Sequence, residues 1–177
     1  GQQALRAAMD SRLLAIDFSL SGYNKGSLLS RLNAGEDLPL DSLFIECFNL
    51  SKAVWAETDG AFDPSAAPLF DLWGFGFTDK DRIAERAVDS VRAFVGMDRL
   101  RLETREDGTH LVREDPRMKL NFNAVAQGYS CDVVARYLDS LGCRAYLVDI
   151  GREIICVDVA HWDGPWFCQC KECRRIT

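Results

Sequence analysis

The 177-residue chain lacks long apolar runs, an excess of positive charge, internal repeats and low-complexity linkers. Its longest apolar runs, such as residues 145–150, are far shorter than the roughly 20 residues that a membrane-spanning helix needs. Lys and Arg number 21 against 27 Asp and Glu, so the net charge is −6. This acidic balance disfavours a general nucleic-acid binder and a protein that adheres to anionic membranes, because both need a basic face.

The first residues, Gly1-Gln2-Gln3, show neither an initial Met nor the charged-then-apolar pattern of a signal peptide. We therefore expect a processed or trimmed start, which leaves the cellular compartment open. The length fits one domain of ordinary size or a piece of a larger protein. With 47% hydrophobic and 27% charged residues, the composition is that of an ordered globular chain.

Seven cysteines are present, but their spacing does not form a disulfide framework. Four of them lie among apolar neighbours and are predicted to be small core residues: Cys47, Cys131, Cys143 and Cys156. The other three crowd near the end of the sequence, where His161 would complete a set of four potential zinc ligands: Cys168, Cys170 and Cys173. Their spacing is not the usual paired Cys-x-x-Cys arrangement. We favour an unrelated Cys-rich tail over residues 167–177, with zinc binding and a redox role as alternatives.

Hydrophobic periodicity predicts several helices followed by strands with one helix between them, which is typical of the α+β class. Ser27 and Asp41 are predicted N-caps of two early helices, Asn123 that of a late one, and Asp63 with Pro64 the start of another. The predicted helices cover residues 2–16, 27–33, 41–57, a stretch from 79 or 81 to 95, and 124–141. The predicted strands cover residues 99–103, 118–122, 145–150 and 154–159. The first of them begins a strand pair that turns at Glu106-Asp107-Gly108, and Gly142 ends the last helix.

Three short segments carry patterns that point beyond the fold class. Residues 59–64 read Asp-Gly-Ala-Phe-Asp-Pro and precede a segment, 68–76, that contains Leu-Trp-Gly-Phe-Gly. Residues 120–129 are predicted to run from a strand into a helix, whose free N-terminal amides favour an anion. Residues 146–154 are predicted to form a tight hairpin. Taken singly, each segment has an ordinary structural explanation as a helix start, a capped helix or a turn.

In this order and spacing the segments resemble the FAD:protein FMN transferase family, also called ApbE or thiamine-biosynthesis lipoprotein. That family has a Gly-Ala-Phe-Asp-Pro turn, a Leu-Trp-Gly-Phe segment, an Asp-Leu-Gly-x-Ile-Ala-Lys-Gly-Tyr segment and a Gly-Gly-Glu-Ile turn. Residues 60–75, 121–129 and 151–154 match these in turn, the second set loosely. The loop at residues 21–23 and the stretch 27–33 are also similar to the family's Ser-x-Tyr and Ser-x-Leu-Ser-Arg-Leu-Asn segments.

The resemblance implies a flavin transferase domain over residues 1–166, with helices packed on an antiparallel or mixed sheet and an incomplete C-terminal part. Such enzymes bind FAD with Mg²⁺, cleave its pyrophosphate and attach FMN to a threonine of a target flavoprotein. By motif match, one backbone carbonyl, that of Ala124, would be a Mg²⁺ ligand. The residues implied to contact FAD are Ala61, Phe62, Asp63, Asn121 and Gln127, and Tyr23 is implied to stack on the flavin ring.

Several positions depart from the family pattern. Asn121 stands where the family has Asp, Gln127 replaces a Lys or an acidic residue, and Arg152 replaces the second Gly of Gly-Gly-Glu-Ile. The family's later Asp-Ala-x-x-Thr-Ala segment, which supplies a metal-binding Asp and Thr, has no match here, nor does its N-terminal flavin-contacting strand. We therefore expect either a fragment of a transferase or a degenerate relative.

Three functions stay open at this stage: a flavin transferase present as an incomplete chain, a flavin-binding protein without transfer activity, and a remnant without a ligand. By analogy with the family, the expected location is the periplasmic face of a bacterial inner membrane, reached through a lipid anchor. The expected partner is a flavoprotein that carries an acceptor threonine.

Overall fold

The computed structural model describes residues 2–73 and 85–157, which form helices, two hairpins and connecting loops. The helices are α1 (Gln2–Leu20), α2 (Leu28–Asn33), α3 (Ser42–Glu57), α4 (Ala67–Leu72), α5 (Glu85–Arg92) and α6 (Ala126–Ser140), with a 3₁₀ turn at Met97–Arg99. The strands are β1 (Leu100–Arg105), β2 (Gly108–Arg113), β3 (Tyr146–Ile150) and β4 (Glu153–Val157). The α+β class predicted from the sequence is confirmed. Among the described helices, none combines the length and the apolar character needed to cross a bilayer.

The larger of two compact units, Leu14–Ala126, is held by an aromatic and aliphatic core. Phe44 of α3 meets Phe122 edge to face, with ring centroids 5.4 Å apart. Two of the predicted caps are confirmed: the Ser27 hydroxyl accepts from Ser30 N at 3.0 Å, and Asp41 Oδ1 accepts from Phe44 N at 2.8 Å. Each cap satisfies an amide that the first turn of its helix would otherwise leave unpaired.

The hairpin β1–β2 belongs to this unit and pairs in register from Leu100↔Arg113 to Arg105↔Gly108. Its two-residue turn lies where the Glu-Asp-Gly sequence predicted it. Backbone and side-chain bonds attach the hairpin to its neighbours, since Leu40 N donates to Thr109 O at 2.7 Å and Lys52 Nζ donates to Leu100 O at 2.7 Å.

In the smaller unit the described residues are 2–13 and 127–157, and β3–β4 forms the second antiparallel hairpin. Its core contains Cys131, Val134, Leu138 and Val148. The prediction that Cys131 is a core residue is confirmed, because it is buried, whereas Cys143 is half-buried and packs against this cluster. Cys156 is only half-buried, whereas Cys47, in the larger unit, is fully buried, which raises the pKa of its thiol to about 12.

Three predicted boundaries are wrong at the ends of helices. Helix α1 continues past residue 16 to Leu20, because Ser19 and Leu20 are buried rather than part of a loop. Helix α5 ends at Arg92 instead of residue 95, and its predicted start lies outside the described residues. Helix α6 begins at Ala126, so Asn123 does not cap it; residues 123–125 form a turn in which Phe122 O accepts from Val125 N and Ala126 N.

Two predictions next to the candidate site are also wrong. Asp63 and Pro64 do not begin a helix; α4 begins at Ala67 without a side-chain cap and has Pro68 in its first turn. Residues 118–122 do not form a named strand, and their one bridge is a parallel pair between Lys119 and Ala66. The reason is that side chains and turns, rather than a neighbouring strand, satisfy much of this segment's backbone.

Candidate functional site

The turn at residues 58–65 follows α3 and is closed by its own first side chain. Thr58 Oγ1 donates to Val54 O at 2.8 Å and accepts from Phe62 N at 3.2 Å, while Ala61 N donates to Thr58 O at 3.0 Å. The two residues between them, Asp59 and Gly60, have φ values of +51° and +78°. The amides of Ala61 and Phe62 are therefore used inside the turn, which leaves their carbonyls and side chains to meet a ligand.

Asp63 ends this turn with a carboxylate held at one oxygen. Its Oδ1 accepts from Ser65 N at 2.8 Å and from Ser65 Oγ at 2.6 Å. Pro64 and Ser65 are buried beneath it, whereas Asp63 itself is half-buried. The carboxylate thus forms an Asx turn, which explains why it does not act as the predicted N-cap of α4.

The segment that carries Asn121 is joined to this turn by the backbone. Asn121 N donates to Pro64 O at 2.9 Å, so the two motif segments lie side by side in the same unit. One residue earlier, the Asn33 amide pairs with both backbone groups of Leu120, accepting from its N at 2.9 Å and donating to its O at 2.7 Å. Asn121 Oδ1 accepts from Asn123 N at 2.8 Å. The side chain of Asn121 therefore shapes the turn that leads to α6.

Tyr23 joins the same group from the loop after α1. The residue is 63% exposed, and its hydroxyl accepts from Asn123 Nδ2 at 3.2 Å. The loop is held in place by Ser21, whose carbonyl accepts from the hydroxyls of Ser27 and Ser30. Ala124, exposed, follows Asn123 in the chain.

Five of the seven predicted site residues lie in the two segments that the bond between Asn121 and Pro64 joins: Ala61, Phe62, Asp63, Asn121 and Ala124. Tyr23 lies beside the second of these segments. Asn33, Ser65 and Asn123 were not predicted as site residues, although each holds a member of the group. Asp and Asn side chains often bond the backbone N–H two residues on in Asx turns, and this residue type at positions 63 and 121 was the available signal. The pairing of Asn33 with Leu120 joins residues 87 apart and has no local signal.

Gln127 belongs to the smaller unit and is engaged there. Its Nε2 donates to Ile150 O at 3.1 Å and to Gly151 O at 2.8 Å. Gly151 and Arg152 form the turn between β3 and β4, with φ values of +60° and +84°. A Cβ on Gly151 would lie 1.9 Å from Gln127 Nε2, so this contact needs glycine. The implied contact of Gln127 with FAD stays a prediction.

The group offers an exposed aromatic ring, a carboxylate and carboxamides on one framework of loops. An aromatic face can stack on a planar ring system, and the polar groups can orient it through hydrogen bonds. In the described ranges, His, Cys, Asp and Glu form no cluster of three that could hold a metal ion. The arrangement is therefore suited to binding and orienting a polar aromatic ligand.

Comparison with known proteins identifies the relatives of this chain. It is 29% identical over 170 residues to the FAD:protein FMN transferase of Klebsiella pneumoniae and 29% over 168 residues to that of Escherichia coli strain K12. These matches cover 93% and 92% of the chain and 48% of each relative. The chain thus spans about half the length of the curated relatives it matches.

Solved structures of flavin transferases have a fold similar to that of this chain. The flavin transferase ApbE from Vibrio cholerae superposes with a TM-score of 0.79 at 30% identity, over 89% of this chain and 51% of that one. The apo flavinyl transferase ApbE from Pseudomonas stutzeri has a TM-score of 0.78 at 30% identity, over 88% and 50%. The sequence model of the ApbE family matches residues 2–174. The chain therefore belongs to the ApbE family.

Proposed function

We propose that this chain binds FAD and takes part in the transfer of its FMN moiety to a threonine of a target flavoprotein. The observation that carries the proposal is the 2.9 Å bond between Asn121 N and Pro64 O, which unites the two segments that the family resemblance assigns to FAD. The names of the relatives, FAD:protein FMN transferase, support the same reaction.

The proposed work of this chain is to bind and orient FAD. Tyr23 presents an exposed ring on which the flavin stacks, and its hydroxyl is held by Asn123. Asp63 offers Oδ2, since Oδ1 is occupied by Ser65. Transfer of a phosphoryl group depends mainly on placing the diphosphate in line with the acceptor hydroxyl. A rigid frame of turns serves that purpose because it holds the ligand without reorganisation.

The described residues supply few of the oxygen ligands that the implied Mg²⁺ ion would need. Magnesium takes octahedral oxygen coordination, commonly from one or two carboxylates plus substrate phosphates. The part of the chain that the structure describes offers the Ala124 carbonyl and no cluster of three acidic or other metal-binding side chains. These residues do not fit a dedicated magnesium site, so the proposed role of the chain rests on FAD binding.

The proposed partner is a flavoprotein with an acceptor threonine, and the proposed location is the periplasmic face of a bacterial inner membrane. Both proposals follow from the family resemblance. Flavin attachment to a candidate partner, detected as in-gel fluorescence after denaturation, would test the first. Fractionation of the source cells would test the second.

Titration of the chain with FAD, followed by flavin fluorescence, tests the binding step. We expect saturable binding that weakens in Asp63→Asn and persists in Asp59→Asn. Asp59 is the matched control because it lies in the same turn at φ +51°, a conformation that Asn tolerates well. Absence of binding, or equal loss in both variants, would contradict the proposal.

An assay of AMP release with a flavoprotein acceptor tests transfer separately. AMP release above the level without protein would support the transferase. FAD binding without AMP release, with and without added Mg²⁺, would instead indicate a flavin-binding chain without transfer activity.

A further inference from the structure

Ser65 lies directly beneath Asp63 and is fully buried, with 0% exposure. Its hydroxyl oxygen lies 2.6 Å from Asp63 Oδ1 and 2.6 Å from Gly96 N. A backbone N–H can only donate, so Ser65 Oγ accepts from Gly96. The hydroxyl proton is therefore directed at the carboxylate. Two hydrogen bonds in series thus connect Gly96 N, Ser65 Oγ and Asp63 Oδ1.

The backbone of Gly96, the first donor in this series, is itself constrained. Gly96 has a φ of +143°, a conformation that side chains rarely adopt, and an added Cβ would lie 2.6 Å from Asp98 Oδ1. The Gly96 amide thus occupies a position that only glycine fits. Since Ser65 Oγ is bonded to this amide, the hydroxyl has little freedom to turn away from Asp63.

The last acceptor in this series is the Asp63 carboxylate. Asp63 Oδ1 accepts both the backbone N–H and the hydroxyl of Ser65, at 2.8 Å and 2.6 Å. Two donors on one oxygen fix the plane of the carboxylate as well as its position. Within residues 2–73 and 85–157, the structure shows no hydrogen bond to Oδ2. Oδ2 is thereby held in one orientation before any ligand arrives.

We infer that Ser65 is a positioning residue for FAD binding: it does not touch the ligand, but fixes the Asp63 carboxylate that does. This inference rests on the proposed function, because it assigns a purpose to the carboxylate in FAD binding. The geometric part of it concerns Asp63 alone and can be measured without FAD.

The first measurement compares the Asp63 rotamer in wild type, Ser65→Ala and Ser65→Thr by three-bond couplings to its carboxyl carbon. Thr is the conservative control, since it keeps the hydroxyl. We expect one χ1 rotamer in wild type and Ser65→Thr, and averaging over rotamers in Ser65→Ala. A single, unchanged rotamer in Ser65→Ala would overturn the inference, whether or not the chain binds FAD. Should Thr disturb the buried site, wild type against Ser65→Ala decides alone.

The second measurement is a double-mutant cycle on FAD affinity. Ser65→Ala should raise the Kd for FAD about fivefold, as for the loss of one hydrogen bond. The same change in the Asp63→Asn background should alter the Kd less than about twofold, since its effect passes through the carboxylate. Equal weakening in both backgrounds would show a general structural role and overturn the inference. If wild type binds no FAD, the proposed function fails, while the rotamer measurement still decides the role of Ser65.

Discussion

At the scale of single residues, Arg152 in the turn between β3 and β4 has a backbone conformation that favours glycine. Arg152 adopts a φ of +84°, where the family pattern has glycine. A side chain in the left-handed region costs roughly 1–2 kcal/mol because its Cβ approaches the following carbonyl. The turn persists because Arg152 N donates to Asp149 Oδ1 at 3.1 Å and Gln127 binds the carbonyls of Ile150 and Gly151.

Arg152→Gly should therefore increase the free energy of unfolding by about 0.5–1 kcal/mol, since relief of strain outweighs the greater entropy of glycine in the unfolded chain. Chemical denaturation measures the change. Gly151→Ala is the opposing control, because its Cβ would lie 1.9 Å from Gln127 Nε2 and should destabilise the chain. Lower stability of Arg152→Gly would mean that the arginine side chain stabilises the turn through contacts of its own.

Asn121 poses a second question at the residue scale, because the family has Asp at this position. Its Oδ1 accepts from Asn123 N at 2.8 Å, a bond that a carboxylate would keep. Charge-assisted hydrogen bonds are roughly twice as strong as neutral ones. We expect Asn121→Asp to tighten FAD binding by about 1 kcal/mol. Titration of both variants at matched ionic strength tests this; weaker binding would place the new charge against the FAD diphosphate and contradict the implied role of the position.

At the scale of elements, one side chain takes the place of a strand partner. Residues 118–122 have a single backbone bridge, yet Leu120 is buried and both its backbone groups are paired by Asn33 at the end of α2. A buried backbone group without a partner costs roughly 1–3 kcal/mol, so this one amide replaces two ladder bonds. The segment that carries Asn121 is thereby attached to α2.

Asn33→Ala should lower the free energy of unfolding by about 2–4 kcal/mol, because it leaves both Leu120 groups without their partner. Asn33→Asp is the matched test, since it keeps an acceptor for Leu120 N but places a carboxylate oxygen against Leu120 O. We expect a loss in Asn33→Asp as well. Urea denaturation of the three proteins measures it, and an unchanged stability of Asn33→Ala would show that water or another group satisfies Leu120.

At the scale of the whole molecule, the carboxylates with lowered pKa values among residues 2–73 and 85–157 all lie in the larger unit. Hydrogen bonds from His110 and then Arg105 lower the pKa of Asp37, and His110 is buried with Nδ1 2.7 Å from Asp37 Oδ1. The Arg117 side chain lowers the pKa of Asp115 to about 2. Arginine partners likewise lower the pKa values of Glu36 and Glu103.

A carboxyl group whose pKa is lower in the folded state than in the unfolded state stabilises the fold above its unfolded pKa, and that contribution disappears as the pH falls through the folded pKa. We therefore expect the stability of the chain to decline as the pH falls from about 5 to 2. Urea midpoints at several pH values in this range measure the slope. Asp37→Asn removes one contributing carboxyl group and should flatten the slope; an identical slope in both proteins would mean that Asp37 contributes nothing.

Sequence patterns predicted what depends on neighbours along the chain. The N-caps Ser27 and Asp41, the two hairpins and the burial of Cys47 and Cys131 follow from side chains that act on the next three or four residues or from local apolar spacing. Where the predictions were wrong, at Asp63, at residues 118–122 and at Asn123, a contact from elsewhere in the chain or a competing local turn satisfied the backbone instead.

Residues a few positions apart encode most of the helices, both hairpins and the order of motifs that marks the ApbE family, so these features follow from the sequence alone. Three contacts arise only in the folded chain: Pro64 bonds Asn121, Asn33 pairs with Leu120, and Gly96 orients Ser65 toward Asp63. Such partners are far apart in sequence, and nothing local selects them. They are chosen when packing buries backbone groups away from water and each buried donor or acceptor must find whichever partner the fold brings within reach.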